Sequence, residues 1–263
     1  MGGYYYIIAG LPDISFDDSK PAYTVEQFRE EVFGALNASD RKVMDILRLE
    51  DECRALIGSE RMEQLIADVK ADELTRSDVP AFMYTFVQEW VDESWRQKAA
   101  FAQDRLWSLF YEYAMGCSNG FVRKWYEFNL DLNNIMAAIT ARKYNLDIQK
   151  VIVGSNDTAV ALRTSGARDW GLSQEVECFD DVARLTEESD LSQRERKADM
   201  LRWRWLEENT FFNYFSVERL FSYMVRLGMV ERWTSLDKEQ GQKLFRKLIG
   251  DLKEQTEVPA EFR

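Results

Sequence analysis

FVRKWYEFNLDLNNIMAAITARKYN, Phe121 to Asn145, is the stretch on which the fold of this chain turns. Its apolar residues Phe121, Trp125, Phe128, Leu132, Ile135 and Ile139 recur at alternating steps of four and three, and Arg142 falls on the same stripe. Steps of that size bring side chains to one face of an α-helix, so the stretch predicts a long helix with one apolar side. Ser118, just ahead of it, is the predicted N-cap, with Gly120 close behind. Asp131, Asn133 and Asn134 interrupt the apolar pattern in mid-helix. Short polar side chains compete with the helix for backbone hydrogen bonds and are normally found at caps. Two readings follow. Either these residues face solvent, or with Arg142 they form a polar strip that fixes a neighbouring helix.

Working outward, only four prolines and thirteen glycines punctuate 263 residues, which favours long helices over a many-turned β-fold. Tyr4 to Leu11 reads as a short strand or a buried helical turn. Thr24 and Gln27 form a capping box for a helix through Leu36, with Phe28 and Val32 inward. A second helix starts at Ser39 or Asp40 and stops at Gly58, and Met62, Leu65, Ile66 and Val69 mark a third. Ser77 or Asp78 is the predicted cap of the next, with Pro80 in its first turn. Phe82, Phe86 and Trp90 follow at helical spacing, and Trp95 to Tyr113 keeps the register. Ile148 to Gly154, IQKVIVG, reads as a strand or an extended connection, and Thr164 to Leu172 as a loop or broken helix. Asp180 to Glu208 carries mixed charge suited to solvated helix faces. Ser216 is placed to cap a helix bearing Val217, Leu220, Phe221, Met224 and Leu227 and closing at Trp233 to Ser235. A last helix then runs from Asp237, with Phe245, Leu248, Ile249 and Leu252 inward. The fold class is all-α, in two helical units, 1–117 and 118–263, or one continuous domain.

Composition removes several chemistries. The net charge is −12, with acids and bases interleaved, so the surface repels nucleic-acid phosphates and anionic lipid headgroups. With no histidine, the usual general base, the imidazole metal ligand and every Ser–His or Cys–His pair are missing. Cys53, Cys117 and Cys178 are far apart and odd in number, which fits neither a CxxC metal site nor a disulfide framework. No apolar run approaches the ~18 residues that span a bilayer. A cytoplasmic protein without cofactor or metal is expected.

Two stretches are similar to the C-type subunit family of rotary V-type and A-type ATPases, whose eukaryotic members are the d-type subunits. DLNNIMAAITARKYNLD, Asp131 to Asp147, resembles that family's helix carrying an acid, then Asn among hydrophobes, then Arg-Lys. FFNYFSVERLFSYMVRLGMVERW, Phe211 to Trp233, resembles its closing helix, in which an apolar stripe ends in an acidic-basic pair. The opening YYYIIAGLPDI also resembles the start of an uncharacterised bacterial family associated with V-type ATPase gene clusters. The resemblance implies long amphipathic helices in repeated, funnel-like bundle units. It implies a non-catalytic rotor subunit that links the central stalk to the membrane proteolipid ring and transmits torque during ion transport. Such a protein lies on the inner face of the cell membrane and touches the membrane only through its partner subunits. The polar positions that match are Asp131, Asn134 and Arg142 on the first helix and Glu218, Arg219 and Arg232 on the second, as partner-contact residues, or else as surface charges or intramolecular ion pairs.

The rival is an acidic, all-helical cytoplasmic scaffold or adaptor with no rotary role. An enzyme working through Asp180 with Asp181, or Glu187 with Glu188, is disfavoured because adjacent acids do not share a helix face.

Overall fold

The computed structural model describes residues 4–92 and 101–255, with side chains described as far as Lys238. Among the described residues there are twelve helices and no strand, so the protein is all-α. The helices are α1 (Tyr5–Gly10), α2 (Val25–Phe33), α3 (Ala38–Leu56), α4 (Glu60–Lys70), α5 (Ala81–Val91), α6 (Ala102–Met115), α7 (Gly120–Lys143), α8 (Ile148–Val151), α9 (Asp157–Thr164), α10 (Phe179–Leu185), α11 (Leu191–Thr210) and α12 (Val217–Gln255). The chain folds as two compact units, one of residues 37–213 and one of 1–36 with 214–263. These units do not divide at 117/118. α6 and α7 lie on either side of that position and pack against each other within one unit.

The 37–213 unit is built around α7. The apolar residues of its predicted stripe are buried or half-buried, and Arg142 at the end of the stripe is exposed. Leu132, Ile135 and Ala138 form one core with Ile152, Leu162, Trp170, Leu172, Phe179 and Val182. Phe121, Trp125 and Phe128 surround Trp205 of α11, with ring centroids 5.4, 5.5 and 5.4 Å away. The other side of α7 is buried too. Tyr126 meets Phe110 of α6 edge-on at 5.3 Å, and Phe110 meets Phe82 of α5 at 5.7 Å. A helix covered on several sides carries more buried residues than one stripe predicts. Arg105 clamps α6 to α5 through two bonds to Glu89, at 2.8 and 2.6 Å.

In the other unit α2 packs on α12. The Thr24–Gln27 capping box forms as the sequence predicts, and Phe28 and Val32 are buried. The Val25 N–H, one of the orphan donors of a helix start, is taken by Glu231 of α12 at 2.9 Å. Tyr223 donates to the Pro12 carbonyl at 3.0 Å. α1 is helical, but none of its residues is buried; Tyr4, just before it, is.

Several boundaries shift for local reasons. Asn119, not Ser118, caps α7, accepting from the Phe121 and Val122 N–H groups at 3.0 and 3.1 Å. Asn37 caps α3 by accepting from Ser39 and Asp40, so that helix begins slightly earlier than predicted. Gly58 ends the turn after α3 at φ +84°, a conformation open to glycine. Pro80 itself occupies the N-cap position of α5, while Asp78 turns back to accept from the Thr75 N–H. Ser216 stands at the N-cap position of α12, its carbonyl accepting from the Leu220 N–H at 3.5 Å, but its buried hydroxyl makes no hydrogen bond among the described residues. α12 runs unbroken through Ser235 and Asp237, where two helices are predicted, because no helix breaker lies between them. Trp95 lies outside the described residues, as do the side chains of Phe245, Leu248, Ile249 and Leu252.

Candidate functional site

The interrupting polar residues of α7 separate into two sets. The first set binds α11. Arg202 is only 16% exposed at its side chain. Its Nε donates to Asn129 Oδ1 at 2.9 Å, one terminal nitrogen to Asn133 Oδ1 at 2.9 Å, and the other to Asp199 at 3.1 Å. Asn133 in turn donates to the Tyr111 hydroxyl of α6 at 3.2 Å, and Asn129 to the Trp125 carbonyl at 2.8 Å. This is the polar strip fixing a neighbouring helix, with Asn133 in it. The sequence pattern did not single out Asn129 or Arg202, which bond each other across 73 residues of chain. Burial presses the Arg202 guanidinium below its usual pKa, raises the Tyr111 phenol to about 12, and lifts that of Tyr126 well above its ordinary value. Tyr126 donates to Glu50 of α3 at 3.0 Å, and Glu50 also holds Arg54.

The second set holds the segment after α7. Asn134 is 2% exposed and grips the Val153 backbone at both ends. Its Nδ2 donates to the Val153 carbonyl at 2.8 Å, and its Oδ1 accepts from the Val153 N–H at 2.9 Å. Arg163 of α9 donates to the flanking carbonyls of Gly154 at 2.8 Å and Ile152 at 2.7 Å. IQKVIVG is therefore no strand: α8 takes its first residues, and side chains satisfy the extended remainder in place of a ladder. Gly154 is at φ +77°, and a Cβ there would come within 3.0 Å of Leu130 on α7. Asp131 accepts from Asn156 at 2.7 Å, and Asn156 caps α9. Burial raises the Asp131 carboxyl above its usual pKa, partly offset by bonds from Asn156 and Thr158. Arg142 donates to the Ala167 and Arg168 carbonyls, and its guanidinium lies 3.6 Å from the centroid of the Trp170 ring. Asp131, Asn134 and Arg142 thus share one task, fixing residues 152–170 onto α7.

On α12, Glu218 and Arg219 are half-buried in the first turns, and Arg232 is exposed with its guanidinium 5.7 Å from the Trp233 ring. The same unit displays a surface that hydrophobic periodicity does not reveal. Tyr5, Tyr6, Tyr214 and Phe215 are 54, 87, 61 and 43% exposed. Tyr5 meets Phe215 at 4.7 Å and Tyr6 at 5.5 Å, and Phe215 meets Tyr214 at 6.4 Å. Four neighbouring exposed rings are uncommon on a free surface and are the side chains richest in binding energy at interfaces. The 37–213 unit ends on two more, Phe211 and Phe212, 64 and 80% exposed.

Among the described residues, no group of three or more Cys, Asp or Glu side chains is arranged to hold a metal. Asp181 pairs with Arg184 and Arg204, and Glu188 with Lys197. No helix among the described residues is long and apolar enough to cross a membrane.

No curated protein and no solved structure matches this chain. A family model described as "Protein of unknown function (DUF2764)" matches residues 1–256, and the chain belongs to that family.

Proposed function

We propose that this protein is a non-catalytic coupling subunit of a rotary V-type ATPase, docking between the central stalk and the membrane proteolipid ring. The observation that carries this reading is the exposed surface of Tyr5, Tyr6, Tyr214 and Phe215. A rotor subunit must present apolar anchors to a partner, and aromatic side chains supply large contact area at low entropic cost. The resemblance of Asp131–Asp147 and Phe211–Trp233 to the C-type ATPase subunits gives the partner its identity. A body that transmits torque must also be stiff. Close packing around α7 and a 39-residue α12, about 58 Å long at 1.5 Å per residue, suit that demand.

The test is a gentle-detergent pull-down of the tagged full chain from its native membranes, read by mass spectrometry, with wild type beside Tyr6→Ser. Wild type is expected to recover V-type head, stalk and ring subunits, and Tyr6→Ser to recover less of them. A clean wild-type preparation without them, from membranes where the ATPase is present, overturns the rotary reading and leaves the acidic adaptor.

A further inference from the structure

The N-terminal stretch of the chain is laid along α12 as a ribbon. Tyr5 meets Phe215, just ahead of that helix, at 4.7 Å. The Pro12 carbonyl accepts from the Tyr223 hydroxyl at 3.0 Å, and the Asp18 carbonyl accepts from the Thr234 hydroxyl at 3.3 Å. Residues 5–18 therefore follow α12 from its start to Thr234, about 26 Å at 1.5 Å per residue. α2 returns the opposite way, with the Val25 N–H on Glu231 and Phe28 5.1 Å from the Tyr223 ring.

The ribbon changes chemistry along its length. At its start stand the exposed rings of Tyr5, Tyr6, Tyr214 and Phe215. At about 200 Å² for a whole aromatic side chain, they leave on the order of 500 Å² uncovered. Further along, Asp13 and Asp17 are exposed, and α2 beside them exposes Glu26 and Glu30. Among the exposed described residues of this unit, acids outnumber bases six to three, so the charged part of the surface is acidic.

These two features sort the candidate occupants. A second copy of the chain would need roughly 800 Å² per partner for a stable dimer, more than the rings supply. Extending that contact toward the carboxylates would place like charges in one interface. An anionic lipid surface is repelled by the same carboxylates. A protein segment with apolar anchors at one end and Lys or Arg along the rest satisfies both features at once. From the order of rings and carboxylates on one ribbon, we infer that it receives a basic amphipathic helix of a partner protein. The apolar end of that helix packs on Tyr5, Tyr6 and Phe215, and its cations face Asp13 and Asp17. A length of about 26 Å corresponds to roughly 17 helical residues. The inference rests on the proposed function only in taking the rings as a docking surface, and it holds for a partner outside the ATPase as well.

The experiment places Tyr6→p-benzoylphenylalanine in the full chain, irradiates native cells and sequences the crosslinked peptide. In parallel, a carbodiimide couples the Asp13 and Asp17 carboxylates of the wild-type chain to lysines of whatever is bound. Position 6 is 87% exposed and both aspartates are exposed, so the variants are expected to fold as wild type does, which circular dichroism checks. Both links are expected on one partner segment of net positive charge. The photo-crosslink should fall on an apolar residue, and the carbodiimide link on a lysine about 8–17 residues away. Asp13→Asn combined with Asp17→Asn should lower recovery of that partner about three- to tenfold at low salt, and the difference should shrink at about 0.5 M salt. Links only to lipid, to a second copy or to a segment without net positive charge overturn the inference. So does an absence of crosslinks, or unchanged recovery by the double variant. ATPase subunits recovered without these links leave the rotary reading standing and overturn this one. The same links on a basic segment of an unrelated protein do the reverse.

Discussion

Replacing Asn134 by alanine removes one donor and one acceptor from the same place and leaves the Val153 N–H and carbonyl without partners. Both bonds are short, at 2.8 and 2.9 Å, and the asparagine is 2% exposed. An orphaned buried polar group costs about 1–3 kcal/mol. Val153 is half-buried, so water recovers part of that, and the expected loss is about 2–4 kcal/mol. In a unit of this size each kcal/mol moves the midpoint by roughly 2–4 °C, so melting falls by about 5–15 °C. Urea denaturation followed by circular dichroism gives the free energy, and amide exchange gives the location. Exchange should accelerate at Ile152, Val153 and Gly154 before it does in α7. Asn134→Asp keeps the acceptor for the Val153 N–H but sets a carboxylate oxygen against the Val153 carbonyl. It should therefore be destabilised at neutral pH and partly recovered once acid protonates the new side chain. A loss below ~0.5 kcal/mol for the alanine variant, with exchange at Val153 unchanged, would refute the assignment. Asn134 would then be free to serve a partner.

Three further outcomes follow from the same geometry. Gly154→Ala should lose about 2 kcal/mol, since it combines a left-handed φ with a Cβ 3.0 Å from Leu130, and urea midpoints check it. Burial holds the Tyr111 phenol up to about 12, above its unfolded value of 10.0, so its contribution is complete below pH 10 and is lost as pH rises toward 12. The stability gap between wild type and Tyr111→Phe should narrow across that window, and a constant gap would contradict it. Burial likewise raises the Cys53 thiol to about 12, so its alkylation by iodoacetamide, mapped by mass spectrometry, should appear only along the unfolding transition.

The class of fold was legible because periodicity is written locally. Phe121, Trp125, Phe128, Leu132 and Ile135 announce a helix and one of its faces without reference to anything distant. The capping box at Thr24 is legible for the same reason, since both partners lie within one turn. What stayed hidden depends on sequence separation. Asn129 looks like any interior polar residue until Arg202 arrives from α11 to meet it. IQKVIVG carries β-branched residues suited to a strand, yet nothing near it announces that Asn134 and Arg163 will take the places of a neighbouring strand. The roles of Asp131, Asn134 and Arg142 follow similarly from partners 19 to 26 residues further on. Exposed aromatics are the hardest case. Tyr5, Tyr6, Tyr214 and Phe215 have the composition of a core, and only the absence of a covering element distinguishes them.

The pairing of α2 with α12 has a consequence for the order of synthesis. Val25 and Glu231, which bond each other, are 206 residues apart, and the whole 37–213 unit is translated between them. At roughly 5–20 residues per second, α2 waits about 10–40 s on the ribosome before the segment it packs against has been made. Meanwhile the intervening unit is compact by itself and is able to close first. Residues 1–36 therefore spend that interval with Phe28 and Val32 uncovered, as a natural client for a nascent-chain chaperone. Shortening the wait by circular permutation, so that α2 follows α12, should raise the yield of folded protein more than any single stabilising substitution in α2.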